Sequence, residues 1–469
     1  MISKTGISIK SNDIFAVILL LFLYVTPITA EELLTPMDQQ NFLTSGFYGG
    51  GLSFINGDAY VRLQLQPEIP IGKVRVGFDL VLLYNPYAED GENLFLAEDG
   101  EKWDSASTWF RLIRFISYGA PYDPFYFRVG EFDYLTIGHG SIMSGYSNHD
   151  RRGIHLNVRR DDNQYGVETM LNDLGDPTIF GGRSFIRPFQ QPANNNLFTR
   201  FEIGATYITD IDPIPLEVDE EPFNVVGVDV GFPIIERSSF RLDLYNDIAL
   251  QNPPRDPTIL AAAANETEEN AESDTEETML AGEPMPTELT WGNATGLGFT
   301  STKAILKFEY RIFDDGYIPT VFDYTYETGA PEFWGYEKSS VARRGFFTQL
   351  IWKPIPQLHF LSTFESYNNN TSKIYLGVIE SGLVPRLTFR AFYAKRNIGE
   401  DGDTNFFADL FDLDEKSALN LEIRYMIFPP VETIVIKEYR FRRVQTDSGL
   451  TEFEPIHKTS IMFGVSTKF

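Results

Sequence analysis

Residues 136–150 read TIGHGSIMSGYSNHD and gather three glycines, two histidines, three serines and an asparagine into one short stretch. Three chemistries are open to such a set. A serine nucleophile needs a histidine base within hydrogen-bond reach, itself oriented by a third group. Residues two apart on an extended chain point the same way, so His139 and Ser141 could meet, with Ser144, Asn148 and His149 close in sequence. His139, His149 and Asp150 could instead hold a metal, although the chain has only five histidines and no i, i+4 pair. The third reading is a bending segment, because Gly138, Gly140 and Gly145 permit the positive φ angles that a sharp turn requires. Which reading holds depends on the elements at either side.

Those elements read as β-strands. In YVRLQLQ, Arg62, Gln64 and Gln66 share one face and Val61, Leu63 and Leu65 the other. KVRVGFDLVLL, FRLDLYND, ILKFEYRI and LNLEIRYMI alternate in the same way, with one face charged and the other wholly apolar. About twenty such segments follow residue 45, with sixteen to twenty as the accepted range. A soluble sandwich alternates as well, with its apolar face inside. The connectors discriminate. Even-numbered strands lead into short links such as PEIPIG, STK and PIPQ, whereas the long links 85–106, 210–223, 250–290, 314–343 and 397–416 all follow odd-numbered ones. Long loops at one end and short turns at the other predict an all-β fold, a single transmembrane antiparallel up-and-down barrel with long outer loops and short periplasmic turns.

The first thirty residues agree with that location. Lys4 and Lys10 precede an apolar run from Ile14 to Val25, and Ala30 offers a small residue at a cleavage point. This predicts a cleaved export signal over 1–30, too short in its apolar core to span a bilayer as a helix. A periplasmic segment follows over 31–45, and the barrel occupies 46–469. The 469 residues include no cysteine, so disulfides cannot hold an exported chain of this size. With the first strand close behind the signal, there is no room for a plug domain.

The last residues, KTSIMFGVSTKF, place Ile461, Phe463, Val465 and Phe469 on one face. This resembles the closing strand of bacterial outer-membrane barrels, which implies recognition of Phe469 by the barrel-assembly machinery. GEFDYLTIGHGS, with Tyr146, Asn148 and Arg151-Arg152 behind it, is similar to a widespread family of such barrels over about residues 75–190; that resemblance bears on fold and carries no known reaction.

Charge is unevenly spread. The net charge of −27 argues against nucleic acid as a partner. Four outer links carry most of it. The longest, within 250–290, holds ten acidic residues against Arg255 and reads as a mobile segment. Solvated acidic loops are the expected role, although EDGD at 400–403 has oxygen ligands suited to a hard cation. The inward faces are mixed and mildly basic: Arg62, Lys73, Arg75, Arg128, Arg159, Arg241, Lys307, Arg311, Arg386, Arg390 and Arg424 against Asp79, Glu202, Asp243, Asp247, Glu309, Glu365 and Glu422. Such residues either pair across strands or line a path for anionic solutes.

The stretch 136–150 then falls in the third outer link. In general porins the third loop folds inward and narrows the channel, and this link resembles it in position and in glycine content. His139, Tyr146 and Asn148 would project into the pore against Arg151, Arg152 and Arg159. The expectation is a non-enzymatic outer-membrane pore for passive diffusion of small polar or anionic solutes, with no cofactor or metal and with outer-membrane lipids around it. A closed barrel serving as a structural or surface-interaction protein is the alternative. A remoter one is a hydrolase like the outer-membrane phospholipases, but their His-Asp-Ser-Asn-Gly run is absent. Monomer and homotrimer both fit the sequence.

Overall fold

The computed structural model describes residues 45–468 apart from 88–94, 122, 192–195, 214–221, 238, 253–288, 315, 328–342, 369–371, 400–405, 415 and 446–450. The expected export signal, nearly all of the segment 31–45 and of the loop 250–290, the EDGD run and Phe469 lie outside the described residues.

The chain alternates strands with links. The strands are β1 (Ser45–Ile55), β2 (Asp58–Leu65), β3 (Glu68–Ile71), β4 (Val74–Phe78), β5 (Leu80–Tyr84), β6 (Phe95–Leu96), β7 (Ile113–Tyr118) and β8 (Phe125–Gly130). Next come β9 (Gly153–Arg159), β10 (Tyr165–Leu171), β11 (Ile179–Ile186), β12 (Glu202–Asp210), β13 (Phe223–Glu236), β14 (Phe240–Gln251), β15 (Thr290–Ser301) and β16 (Ala304–Phe313). The last are β17 (Arg343–Ile355), β18 (Leu358–Tyr367), β19 (Ser372–Ser381), β20 (Leu387–Ile398), β21 (Ser417–Phe428), β22 (Val431–Gln445) and β23 (Thr451–Lys468). Two short helices, α1 (Ala106–Phe110) and α2 (Phe406–Leu410), sit in links.

All pairings are antiparallel, and β1 closes the ring on β23 from Ser45↔Lys468 to Ile55↔Lys458. Ring closure gives most strands a partner on both sides, so their amides are satisfied without water, whereas β3 and β6 each pair on one side. There are more strand segments than the sixteen to twenty expected because β2 and β3 part at Gln66-Pro67, β4 and β5 part at Asp79, and β6 is a two-residue pairing on β5. The sequence leads to strands near 107–118 and 125–137, and both are shorter in the structure: α1 takes the start of the first, and the second stops at Gly130, where φ is 151°.

Both described chain ends lie at one end of the barrel, called here the terminal end. The turns 72–73, 160–164, 302–303 and 356–357 lie there and are short. The link 187–201 is longer than expected at that end, with Phe201 packed on Phe232 at 4.6 Å between ring centroids. At the opposite, loop end the predicted long links recur, together with a tight Asn56-Gly57 turn whose positive φ angles of 51° and 97° suit a two-residue hairpin.

The exterior is apolar. Leu63, Val228, Phe308 and Phe463 are 43–58% exposed and point away from the lumen, as do Leu52, Leu250, Leu297 and Ile461. Their inward neighbours Arg62, Asp229, Glu309 and Ser460 are buried. Water would not tolerate an apolar band that encircles the protein, whereas acyl chains would. The fold is therefore a membrane-spanning β-barrel.

Candidate functional site: a strapped lumen

The third link of the loop end, residues 131–152, leaves β8 and returns to β9 by way of the barrel interior. Gly138, Gly140 and Gly145 adopt φ of 62°, 90° and 70°, so the bend uses the glycines that the sequence singled out. A side chain at position 145 would also collide with the Tyr134 ring, 2.4 Å from the Cβ it would carry. Leu135 and Tyr146 exchange backbone hydrogen bonds of 2.8 and 2.9 Å, which pin the two limbs of this strap together.

A second segment, 314–327, joins it. The Ser144 amide donates to the Phe322 carbonyl at 3.1 Å, and the Thr320 amide donates to Ser141 at 3.2 Å. Around these bonds an apolar core forms inside the barrel: Leu135, Ile137, Ile142, Met143 and Tyr146 from the strap, with Tyr317, Ile318, Val321, Phe322 and Tyr326 from its partner. Ile208, Phe223, Val225 and Ala249 on β12–β14 complete it. This second segment is not among the expected pore elements. Its aromatic run YIPTVFDYTY, unlike the acidic composition of the other long links, was the available signal.

The straps therefore fill one side of the lumen. On the other side lies a polar cavity of about 140 Å³. Its wall carries seven basic side chains, Arg62, Arg114, Arg128, Arg152, Arg390, Arg424 and Lys458, and seven acidic ones, Asp79, Glu98, Glu131, Asp133, Asp150, Glu422 and Glu438. Most are paired. Arg62 holds Glu98 at 2.7 Å, and Lys458 holds the same carboxylate at 3.0 Å. Arg424 and Arg390 converge on Glu422 at 2.5 and 3.2 Å. Two pairs lash the strap to the wall: Arg390 to Asp133 at 3.8 Å, and Arg440 to Asp150. Arg152 points its guanidinium at the carbonyls of Ile113, Asp150, Arg151 and Arg111 and so fixes the strap exit to the start of β7.

The remaining expected lumen residues take other places. Tyr146 and Asn148 have no exposed surface. Tyr146 donates to Glu327 at 2.5 Å, and Asn148 accepts from the Phe132 amide and donates to the Asn172 carbonyl, both at 2.7 Å. Both residues brace the strap rather than line the cavity. Arg311 is buried between Glu309 (2.6 Å) and Glu365 (2.8 Å). Arg241 pairs with Asp243 at 2.7 Å beside a separate cavity of about 100 Å³. Arg128 lines the main cavity and donates to Glu131 O at 3.3 Å. Arg75 lies over the Phe115 ring, and Arg159 donates to Asn157 and Pro121 away from the straps. Lys73 and Arg386 are exposed in turns of the terminal end, where the strands have already stopped.

The structure keeps His139 and Ser141 together beside one small cavity and takes His149 away from them. His139 Nδ1 lies 2.7 Å from Asp247 and 3.8 Å from Asp229, both on the wall. Ser141 lines the same small cavity as His139 and Asp247. His149 is carried off to Tyr324, whose carbonyl accepts from its Nε2 at 2.8 Å.

Burial, followed by the Arg440 charge, lowers the His149 pKa below its ordinary 6.5. Unfolded strap would then bind a proton that folded strap refuses, so the anchorage is complete above pH 6.5 and weakens as pH falls below it. The protection of residues 146–152 against hydrogen exchange, taken relative to the intrinsic amide rate at each pH, is expected to fall between pH 7 and 5. His149→Gln, which keeps a donor and does not titrate, is expected to flatten that profile; an equal loss of protection in the variant would show that His149 is not its source.

No family model matches this chain, and no curated protein matches it in sequence. Solved structures align with it over most of both chains. The outer membrane protein OpdK from Pseudomonas aeruginosa aligns over 90% of this chain and 98% of its own at 8% identity, with a TM-score of 0.29. OccAB2 of Acinetobacter baumannii aligns over 91% and 96% at 10% identity and TM-score 0.29, and Pseudomonas aeruginosa OprD over 90% and 94% at 10% identity and TM-score 0.29.

Proposed function

We propose that the protein is an outer-membrane pore through which small polar solutes, anions among them, diffuse passively. The observation that carries this is the lumen: a ring closed to lipid, crossed by a strap from the third loop, with an ionic cavity left beside it. Large barrels of this kind enclose an aqueous channel. The export signal delivers the chain, the closing strand with Phe469 engages the barrel-assembly machinery, and the outer membrane holds it as a monomer or a homotrimer.

The balanced lining refines the selectivity. Seven cations facing seven anions, largely paired, leave little net field at the cavity, and Glu98 of an acidic outer link is itself one of those anions. In planar bilayers the protein is expected to open steadily, with a reversal potential in a KCl gradient near zero or mildly anion-selective. Strong cation preference would overturn the reading of the arginines. The apolar core between the straps favours a second reading, a sealed barrel that serves as a scaffold. Silence at every voltage would favour it over the pore.

A further inference from the structure

Asp229 on β13 and Asp247 on β14 are directly opposite in the strand register, and both point inward. Like charges at paired positions destabilise a sheet unless a cation stands between them. The strap delivers His139 to that place. Its Nδ1 and one oxygen from each aspartate lie within 4.8 Å of one another. A tetrahedral ion with bonds of about 2.0–2.2 Å sets its donors roughly 3.3–3.5 Å apart, so small side-chain movements suffice. Beside the three donors is a cavity of about 10 Å³, lined also by Ser141 and Thr206. That is about the room one water or ion occupies.

The surroundings fix the donors. The His139 ring stacks on Tyr245 at 4.3 Å, and its carbonyl accepts from Lys307 at 3.1 Å. Arg183 donates to both oxygens of Asp229, at 2.6 and 2.9 Å, and holds that carboxylate as outer partners of a ligand do.

We propose that His139, Asp229 and Asp247, with Ser141 at the edge, bind one divalent transition metal that clamps the strap tip to the β13–β14 wall. One imidazole and two carboxylates suit zinc and its neighbours, whereas calcium wants six to eight oxygens. The ion takes the place of the proton that His139 shares with Asp247. The site depends on the position of the strap and not on whether the lumen conducts.

The test is calorimetric titration of the EDTA-stripped, detergent-folded full chain with zinc chloride, and separately with calcium chloride. One saturable zinc equivalent is expected, weakened about 100-fold in His139→Ala and in Asp229→Asn, and unchanged in His457→Ala on the exterior. Asp229→Asn retains an oxygen for Arg183, so it decides the matter if His139→Ala fails to fold. No saturable zinc binding, equal binding in the site variants, or calcium binding as tight as zinc would each overturn the proposal.

Discussion

Replacing residues 138–144 with two glycines is expected to raise the single-channel conductance several-fold. The excision joins ends that the Leu135–Tyr146 pairing already holds side by side, so the barrel wall need not move. It removes Ile142 and Met143, the residues that interlock with Phe322, together with His139 and its anchorage on Asp247. With its partner gone, the segment 314–327 loses the amide bonds at Ser144 and Ser141 and its packing against Ile142 and Met143. Current through a water-filled pore follows its narrowest cross-section. An unchanged conductance in a variant that still migrates as a folded barrel would show that the strap does not limit the path.

Arg311→Ala is expected to destabilise the barrel by about 3–5 kcal/mol, the usual cost of leaving a buried charge without its partner. Arg311 is 2% exposed, and its carboxylate neighbours Glu309 and Glu365 are 0% and 5% exposed. Its Nη1 also donates to Thr320 on the second segment at 2.6 Å, and its guanidinium lies 4.3 Å from the Phe347 ring centroid. Truncation would leave Glu309 without its arginine and Glu365 with only the more distant Lys373, at 3.7 Å, and would remove the Arg311 bond to Thr320 on the second segment. The measurement is the urea midpoint in detergent micelles, followed by circular dichroism. The triple variant Arg311→Met, Glu309→Gln, Glu365→Gln is expected to recover most of the loss, because it removes the charges together. A shift below about 1 kcal/mol for Arg311→Ala would show that water reaches these carboxylates.

The two experiments probe different parts of one arrangement. The first asks whether the straps narrow a path, and the second whether the wall that carries them depends on buried ion pairs. Both straps are held at intervals by charges: Asp133 by Arg390, Asp150 by Arg440, and Thr320 by Arg311. Arginines expected to line an anion path are thus largely occupied in holding carboxylates and loops in place.

Much of the framework was legible in the amino-acid order, because a strand's side-chain period of two is a local property. Alternation in β2, β14, β16 and β21 identified strands and the face each turns to lipid, and the parity of link lengths identified which end carries the loops. Gly138, Gly140 and Gly145 announced a bend, since positive φ is a property of one residue. What local order could not reveal was the content of the lumen. Tyr146 and Asn148 were expected to face the pore, yet they are buried within the straps by contacts to Glu327, Phe132 and Asn172. Asp229 and Asp247 stand about ninety to one hundred and ten residues from His139 and meet it only because the ring closes and the strap folds back. Periodicity records which face of a strand is apolar; where a link comes to rest depends on which distant apolar and charged groups it can bury, and that is settled only once the whole wall has formed.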